Sequence, residues 1–167
     1  TFEATRCLLH AFVVCHLDYC NSLLAGCSRS LIQPLQLLQN KAARILCGIS
    51  PFDHITPTLV HLHWLPVQQR IIFKSLVLLY NAVHLNTPRY LADRLELYQP
   101  TRLLRSQNTG LLTVPYSFSN KGDRAFSVNA PKLWNSLPTN LRNTGTLQHF
   151  KRHLKAHLFR ECFSSYL

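Results

Sequence analysis

Carboxylate side chains, which catalysis of phosphoryl transfer would require, are scarce in this sequence. Only seven of the 167 residues are Asp or Glu, and the one close pair, Asp93 and Glu96, has Arg89 and Arg94 nearby to balance it. Two-metal phosphoryl transfer needs clustered carboxylates to hold its ions. The sequence therefore predicts no polymerase or nuclease centre, and no residue is assigned a catalytic role.

Histidines are the next residues whose spacing could support chemistry. His149, His153 and His157 recur every four residues, and neighbouring members of such a series can share a metal ion. The first and third lie about 12 Å apart along a helix, and no Cys, Asp or Glu lies close enough to complete a site. We therefore predict a solvated helix face that can touch phosphate. A metal or cofactor at the His149–His153 pair is the remaining enzymatic alternative, and no cofactor is expected.

Basic side chains are concentrated in the last part of the chain. The net charge is +11, and it divides into +2 for residues 1–50, +1 for 51–100 and +8 for 101–167. A concentrated positive surface most often meets a polyanion, and nucleic acid is the commonest one. A basic face that only keeps the protein soluble is the alternative.

The candidate nucleic-acid contacts are cations of this C-terminal region. Lys151, Arg152 and Lys155 come first, because they lie within about one turn of a single helix. The other candidates are Arg102, Arg105, Lys121, Lys132 and Arg142. Such residues neutralise phosphates without reading base sequence. No glycine-rich phosphate loop is present, and no small-molecule substrate is expected.

The elements that must position these cations are mainly helices. Residues 4–25 predict a largely buried helix that stops at Gly26. A second amphipathic helix ends at Gly48. Its core-facing residues are expected to be Leu31, Leu35, Leu38, Ala42 and Ile45.

Prolines mark the next helix starts. Thr56-Pro57 and Thr87-Pro88 each place an N-cap residue before a first-turn proline. Pro66 opens the apolar run 70–83, which predicts the central buried helix, and a short helix over 88–98 follows.

The C-terminal third changes character. The β-branched stretch 111–115 predicts a small strand or extended segment. In the stretch 122–138, GDRAFSVNAPKLWNSLP, we expect an architectural role, with Trp134 in the core and Pro131 and Pro138 at helix ends. Thr146 should cap the last helix, whose buried face is Leu147, Phe150, Leu154 and Leu158. The predicted fold class is mainly α, with a small extended or β insert around 110–120 and a basic C-terminal helix.

The six cysteines show no zinc-site spacing. We predict small buried hydrophobic residues with reduced thiols, typical of the nucleus or cytoplasm. No secretory signal and no membrane-spanning apolar run is recognisable, so an intracellular chain without membrane contact is expected. The sequence contains no methionine, which suggests a piece of a longer polypeptide.

Five blocks in order along the chain carry a resemblance to a known family. They are HLDYCNSLLAG (16–26), LQNKAARILCGI (38–49), HITPTLVHLHWLPVQQRIIFKSLVLLYNA (54–82), GDRAFSVNAPKLWNSLP (122–138) and FKRHLKAHLF (150–159). Together they resemble the C-terminal end of LINE-type, non-LTR retrotransposon reverse transcriptases of the jockey and chicken-repeat branch.

The resemblance implies a position downstream of the polymerase palm. Residues 1–50 resemble part of the thumb, 51–98 the helical core of a C-terminal extension, and 99–167 its basic end. It implies a non-catalytic part of an RNA-directed DNA polymerase. Its partners would be RNA, DNA or an RNA–DNA duplex and the remainder of the reverse transcriptase. The paired aspartates of the palm have no match here. The alternative is a relic or domesticated protein-interaction module without nucleic-acid function.

Overall fold

The computed structural model describes residues 1–100 and 110–166. Its helices follow one another as α1 (Phe2–Leu9), α2 (Cys15–Asp18), α3 (Arg29–Cys47), α4 (Thr56–His61), α5 (Val67–Leu85), α6 (Arg89–Ala92), α7 (Phe126–Ser136), α8 (Thr139–Arg142) and α9 (Leu147–Phe163). A π-helical segment, His10–Val14, joins α1 to α2, and 3-10 turns cover Asn21–Leu24 and Gly122–Arg124.

The described residues confirm a mainly α fold. Across residues 1–100 and 110–166 no strand is formed, and the extended segment near 112 makes one isolated antiparallel bridge, between Leu97 and Leu112. In the same ranges no helix is both long enough and apolar enough to span a bilayer.

The chain divides into two compact units. We call Thr1–Ile71 with Leu158–Leu167 the first unit and Ile72–His157 the second unit. By sequence the first unit has a net charge of +2 and the second a net charge of +9. These units are defined by contacts within this chain. The division into 1–50, 51–98 and 99–167 follows instead from the resemblance to a larger polymerase, and it stays a prediction.

The first unit has two small apolar clusters. Ile32 packs with Val67 and Ile71, and a second cluster contains Ala43, Leu59 and Phe163. An ion pair also links α2 to α5, since Arg70 Nε donates to Asp18 Oδ1 at 2.8 Å.

The helix predicted over residues 4–25 forms as far as Asp18, but the prediction that it is largely buried is wrong. The continuous helix ends at Asp18, and Tyr19 turns to an extended conformation before the 3-10 turn Asn21–Leu24. No residue of α1 is buried, and Phe12 is 72% exposed. Val14 and Leu17 of this segment are buried, so its apolar residues are divided between core and surface.

The buried face predicted for α3 is confirmed at Ala42 but wrong at Leu31, Leu38 and Ile45. The buried residues of α3 are Ile32, Gln39, Ala42, Ala43 and Leu46. Leu31, Leu38 and Ile45 instead lie 62%, 45% and 65% exposed. Two carboxamides explain the difference. Gln39 donates to the Leu65 carbonyl at 2.9 Å, and Gln36 accepts from the Val67 amide at 2.8 Å. These partners turn a polar side of the helix inward.

The helix starts beside Pro57 and Pro66 and the end of α3 at Gly48 agree with the sequence prediction, whereas two predicted caps do not form. Helices α4 and α5 begin at Thr56 and Val67, just where Pro57 and Pro66 predict them. The N-cap of α4 is Ile55, without a side-chain hydrogen bond, so the predicted Thr56 cap is wrong. Helix α6 begins after Pro88, which is itself the N-cap, so the predicted Thr87 cap is also wrong. This helix ends at Ala92, well short of residue 98.

The second unit is organised around aromatic rings. Tyr80 stacks on Phe150 with ring centroids 4.4 Å apart, and Trp134 lies 5.8 Å from Phe150. The Tyr80 hydroxyl donates to the Thr144 carbonyl at 2.7 Å, and burial raises the pKa of this phenol. Trp134 is 1% exposed, which confirms its expected place in the core.

Helix α7 includes one residue whose expected role is wrong. Pro131 lies inside α7 and is buried, so it does not set a helix end. Pro138 does lie at a boundary, between Ser136, where α7 ends, and α8.

The cysteines are more exposed than predicted. Cys7, Cys15 and Cys20 are exposed, and Cys27, Cys47 and Cys162 are partly buried, all six as free thiols. Cys7, Cys15 and Cys20 lie in the segment 1–20, most of whose residues are exposed.

This difference predicts unequal thiol reactivity. Burial, together with the charge of Glu161, raises the pKa of the Cys162 thiol to about 11, so it stays protonated near pH 8 and is a poor nucleophile. We expect iodoacetamide to modify Cys7, Cys15 and Cys20 first and Cys162 at least tenfold more slowly, followed by peptide mass spectrometry. Equal rates in denaturant are the control, and equal rates in the folded chain would contradict the assigned burial.

Candidate nucleic-acid interface

Helix α9 begins at a side-chain cap, as predicted. The Thr146 hydroxyl accepts a hydrogen bond from the His149 amide at 3.3 Å. Phe150, Leu154 and Leu158 are 0%, 0% and 3% exposed. These three residues recur at a spacing of four and so define one side of the helix. The buried side fixes which residues must face solvent.

The three leading candidate cations lie away from that buried side. Lys151, Arg152 and Lys155 are exposed. Their spacing keeps them within one arc of the helix surface. No acidic residue occurs between Asp123 and Glu161, so no carboxylate within the second unit's part of α9 offsets their charge.

An open groove of about 520 Å³ lies beside these cations. Its lining consists of Phe73, Gln148, His149, Lys151, Arg152 and Lys155. The lining includes three cations and no acidic residue. A concave surface of one charge sign concentrates counter-ions of the opposite sign. We call this surface the cationic groove.

The histidines of α9 lie next to the cations. The rings of His149 and His153 are 6.4 Å apart between centroids. Within residues 1–100 and 110–166, no three His, Cys, Asp or Glu side chains gather where they could hold a metal ion. His149 lines the cationic groove, where a neutral or protonated imidazole can donate to a phosphate oxygen.

The other predicted cations differ in their surroundings. Lys121 is exposed at the start of the Gly122–Arg124 turn. Lys132 is half exposed and pairs with Asp123 at 2.8 Å, so its charge is partly compensated. Arg102 and Arg105 lie outside the described residues.

Arg142 does not fit the role expected of it. Its side chain is buried, with 6% of the residue exposed. The guanidinium donates to the carbonyls of Asn135 and Leu137 and to the Thr139 hydroxyl. Burial lowers the pKa of this guanidinium. Arg142 therefore satisfies carbonyls where α7 ends, and we leave it out of the candidate interface.

Sequence reasoning missed two kinds of candidate residue in the second unit. Phe73 lies in the apolar run 70–83, for which the sequence predicts a buried helix. Only the packing of the folded chain shows that Phe73 lines the cationic groove. Tyr116 and Phe118 are 81% and 94% exposed. Their signal was visible, since two aromatic residues alternate with Ser in a polar loop before Lys121 and Gly122.

Comparison with known proteins adds no assignment: no family model, curated protein or solved structure matches this chain.

The placement of Arg142 predicts a variant that separates stability from binding. Arg142→Lys keeps the charge but loses the planar fork that reaches several acceptors. We expect the free energy of unfolding to fall by about 1–3 kcal/mol, measured by urea denaturation. The salt dependence of nucleic-acid binding should be unchanged. Unchanged stability together with weaker RNA binding would instead return Arg142 to the interface.

Proposed function

We propose that this chain is a non-catalytic C-terminal part of a non-LTR retrotransposon reverse transcriptase, and that its second unit binds RNA or an RNA–DNA duplex through backbone phosphates. The cationic groove is the observation that carries the binding proposal. The five collinear sequence blocks support the family, and the dispersed acidic residues support the absence of catalysis by this chain.

The proposed contact is electrostatic and independent of base sequence. Each Lys or Arg that neutralises a phosphate releases a condensed counter-ion, so affinity falls steeply as salt rises. Lys151, Arg152 and Lys155 are exposed on one helix with a fixed backbone. Their charged groups can contact successive phosphates of a strand without any contact to base edges.

Charge reversal tests this proposal. In the variant Lys151→Glu/Arg152→Glu/Lys155→Glu, we expect affinity to fall equally for RNAs of different sequence. The slope of log affinity against log salt should become shallower by about 0.7–0.9 for each phosphate that the variant no longer neutralises. Fluorescence anisotropy over a salt series measures both.

A matched control lowers the net charge by the same amount at a different surface. The variant Arg6→Glu/Arg29→Glu/Lys41→Glu makes the same change at exposed cations of the first unit. It should retain a slope close to that of the unmodified chain. If both variants reduce the slope equally, net charge and not the cationic groove controls binding, and the assignment is wrong.

A second candidate function is a protein-interaction module without nucleic-acid function. The exposed stripe Leu31, Leu38 and Ile45 on α3 favours it, because a seven-residue spacing places these side chains on one side of the helix. Helix α3 carries Arg29, Lys41 and Arg44 and no acidic residue. The fitting partner is therefore an amphipathic helix with acidic residues beside its apolar ones.

Removing the stripe tests the second candidate. At high salt, which screens repulsion between basic copies, the stripe of a second copy can take the place of that partner, so we expect the isolated chain to associate as its concentration rises. Leu31→Gln/Leu38→Gln/Ile45→Gln should remain monomeric in sedimentation velocity, with unfolding free energy unchanged. Leu85→Gln/Leu97→Gln, at exposed positions of the second unit, is the control. Equal association of all three proteins would contradict a role for the stripe.

A further inference from the structure

Two aromatic side chains stand out of the second unit into solvent. Tyr116 is 81% exposed and Phe118 is 94% exposed. Their rings meet edge to face, with centroids 4.7 Å apart. Burial of a large aromatic side chain stabilises a protein more than burial of most other side chains does. Two such rings exposed side by side therefore require an explanation.

The loop that presents the rings has a defined hydrogen-bonded frame. Ser117 Oγ donates to the Ser119 carbonyl at 3.1 Å, and the Gly122 amide donates to Ser119 Oγ at 3.1 Å. The Asp123 amide donates to the Ser119 carbonyl at 2.9 Å. A Cβ at position 122 would lie 2.4 Å from Ser117 Oγ, so a larger residue there would displace this hydroxyl from its hydrogen bond to Ser119. We call residues 115–122 the aromatic loop.

Helix α7 holds the chain on both sides of the aromatic loop. Upstream, the Asn135 carboxamide accepts from the Leu112 amide at 2.9 Å and donates to the Leu112 carbonyl at 2.8 Å. Downstream, Lys132 pairs with Asp123 at 2.8 Å. The loop that carries the exposed rings is thus held by a helix. Binding a ligand would therefore cost little conformational entropy for ordering this loop.

The charge around the loop selects the ligand class. The unit that contains the loop has a net charge of +9, Lys121 follows the rings and is exposed, and the nearby acidic residue Asp123 is paired. A ligand that combines a flat π face with negative charge fits this surface. Unpaired nucleotides have both features, whereas the bases of a duplex are already stacked on one another.

We propose that Tyr116 and Phe118 stack on unpaired bases, so that the second unit binds single-stranded nucleic acid in preference to duplex. This inference rests on the proposed function, because the cations of the same unit supply the phosphate contacts. It narrows the ligand from RNA or an RNA–DNA duplex to a strand whose bases are free.

The decisive variant is Tyr116→Ala/Phe118→Ala, tested on the whole chain. Both positions are exposed, so folding should be preserved. Each base stacked on an aromatic ring adds to the binding free energy. We therefore expect the affinity for an oligouridine strand to fall about fivefold or more for each ring removed. Affinity for a duplex RNA should change less than about twofold, and the salt slope should stay the same, because every cation that meets a phosphate is kept. Fluorescence anisotropy with both probes measures these quantities.

Two further variants define what the rings contribute. Tyr116→Phe/Phe118→Tyr keeps both rings and should retain the affinity of the unmodified chain for the single strand. Phe52→Ala removes an aromatic residue that is 97% exposed in the first unit and should have no effect. Loss of binding in either variant would overturn the proposal, since it would show that general surface changes suffice.

The outcomes separate this inference from the proposed function. If the unmodified chain binds neither probe, the proposed function fails and this inference fails with it. If binding is salt-dependent but Tyr116→Ala/Phe118→Ala binds the strand normally, only the stacking role is wrong. Phosphatidylserine vesicles provide a third probe. If the alanine variant loses vesicle binding and keeps strand binding, the rings belong to a lipid contact and the proposal is overturned.

Discussion

The second unit depends on how α7 satisfies the backbone of the extended segment before the aromatic loop. Buried amides and carbonyls must find partners, and among the described residues this segment pairs with another extended segment only at the isolated bridge to Leu97. Trp134 Nε1 donates to the Gly110 carbonyl at 2.8 Å, and Asn135 makes both hydrogen bonds of Leu112 that a strand would make. The adjacent pair Trp134-Asn135 therefore joins the extended segment to a helix that also packs on Phe150. The aromatic loop takes its position from this arrangement.

Three basic residues of the second unit have different roles because their surroundings differ. Arg142 is buried and its donors are used by carbonyls, so its removal would leave acceptors unpaired inside the unit. Lys132 forms an ion pair near the surface, where such pairs contribute little stability. Lys155 is exposed in a groove whose lining has no acid. Only the last environment leaves a cation available to an external phosphate.

The two candidate surfaces belong to different units and rest on different physics. The cationic groove and the aromatic loop are in the second unit, where charge and π faces suit a single strand. The apolar stripe of α3 is in the first unit, and its exposure reflects a hydrophobic face that the described chain does not cover. The proposed function accounts for both surfaces, since a piece of a larger polymerase must hold nucleic acid and also pack against its own neighbouring segments.

Local chemistry in the sequence was sufficient for the mainly α class, for helix starts after Pro57 and Pro66, and for the Thr146 cap with the Phe150 and Leu154 face of α9. These features depend on residues within a turn or two of one another, so their spacing in the chain determines them. Only the tertiary structure decided which face of α3 is buried, that Arg142 is buried, and that Tyr116 and Phe118 are exposed. Gln39 is buried because Leu65, 26 residues away, accepts its hydrogen bond. Sequence spacing gives no sign of such a partner, because long-range contacts are set by how the elements pack together.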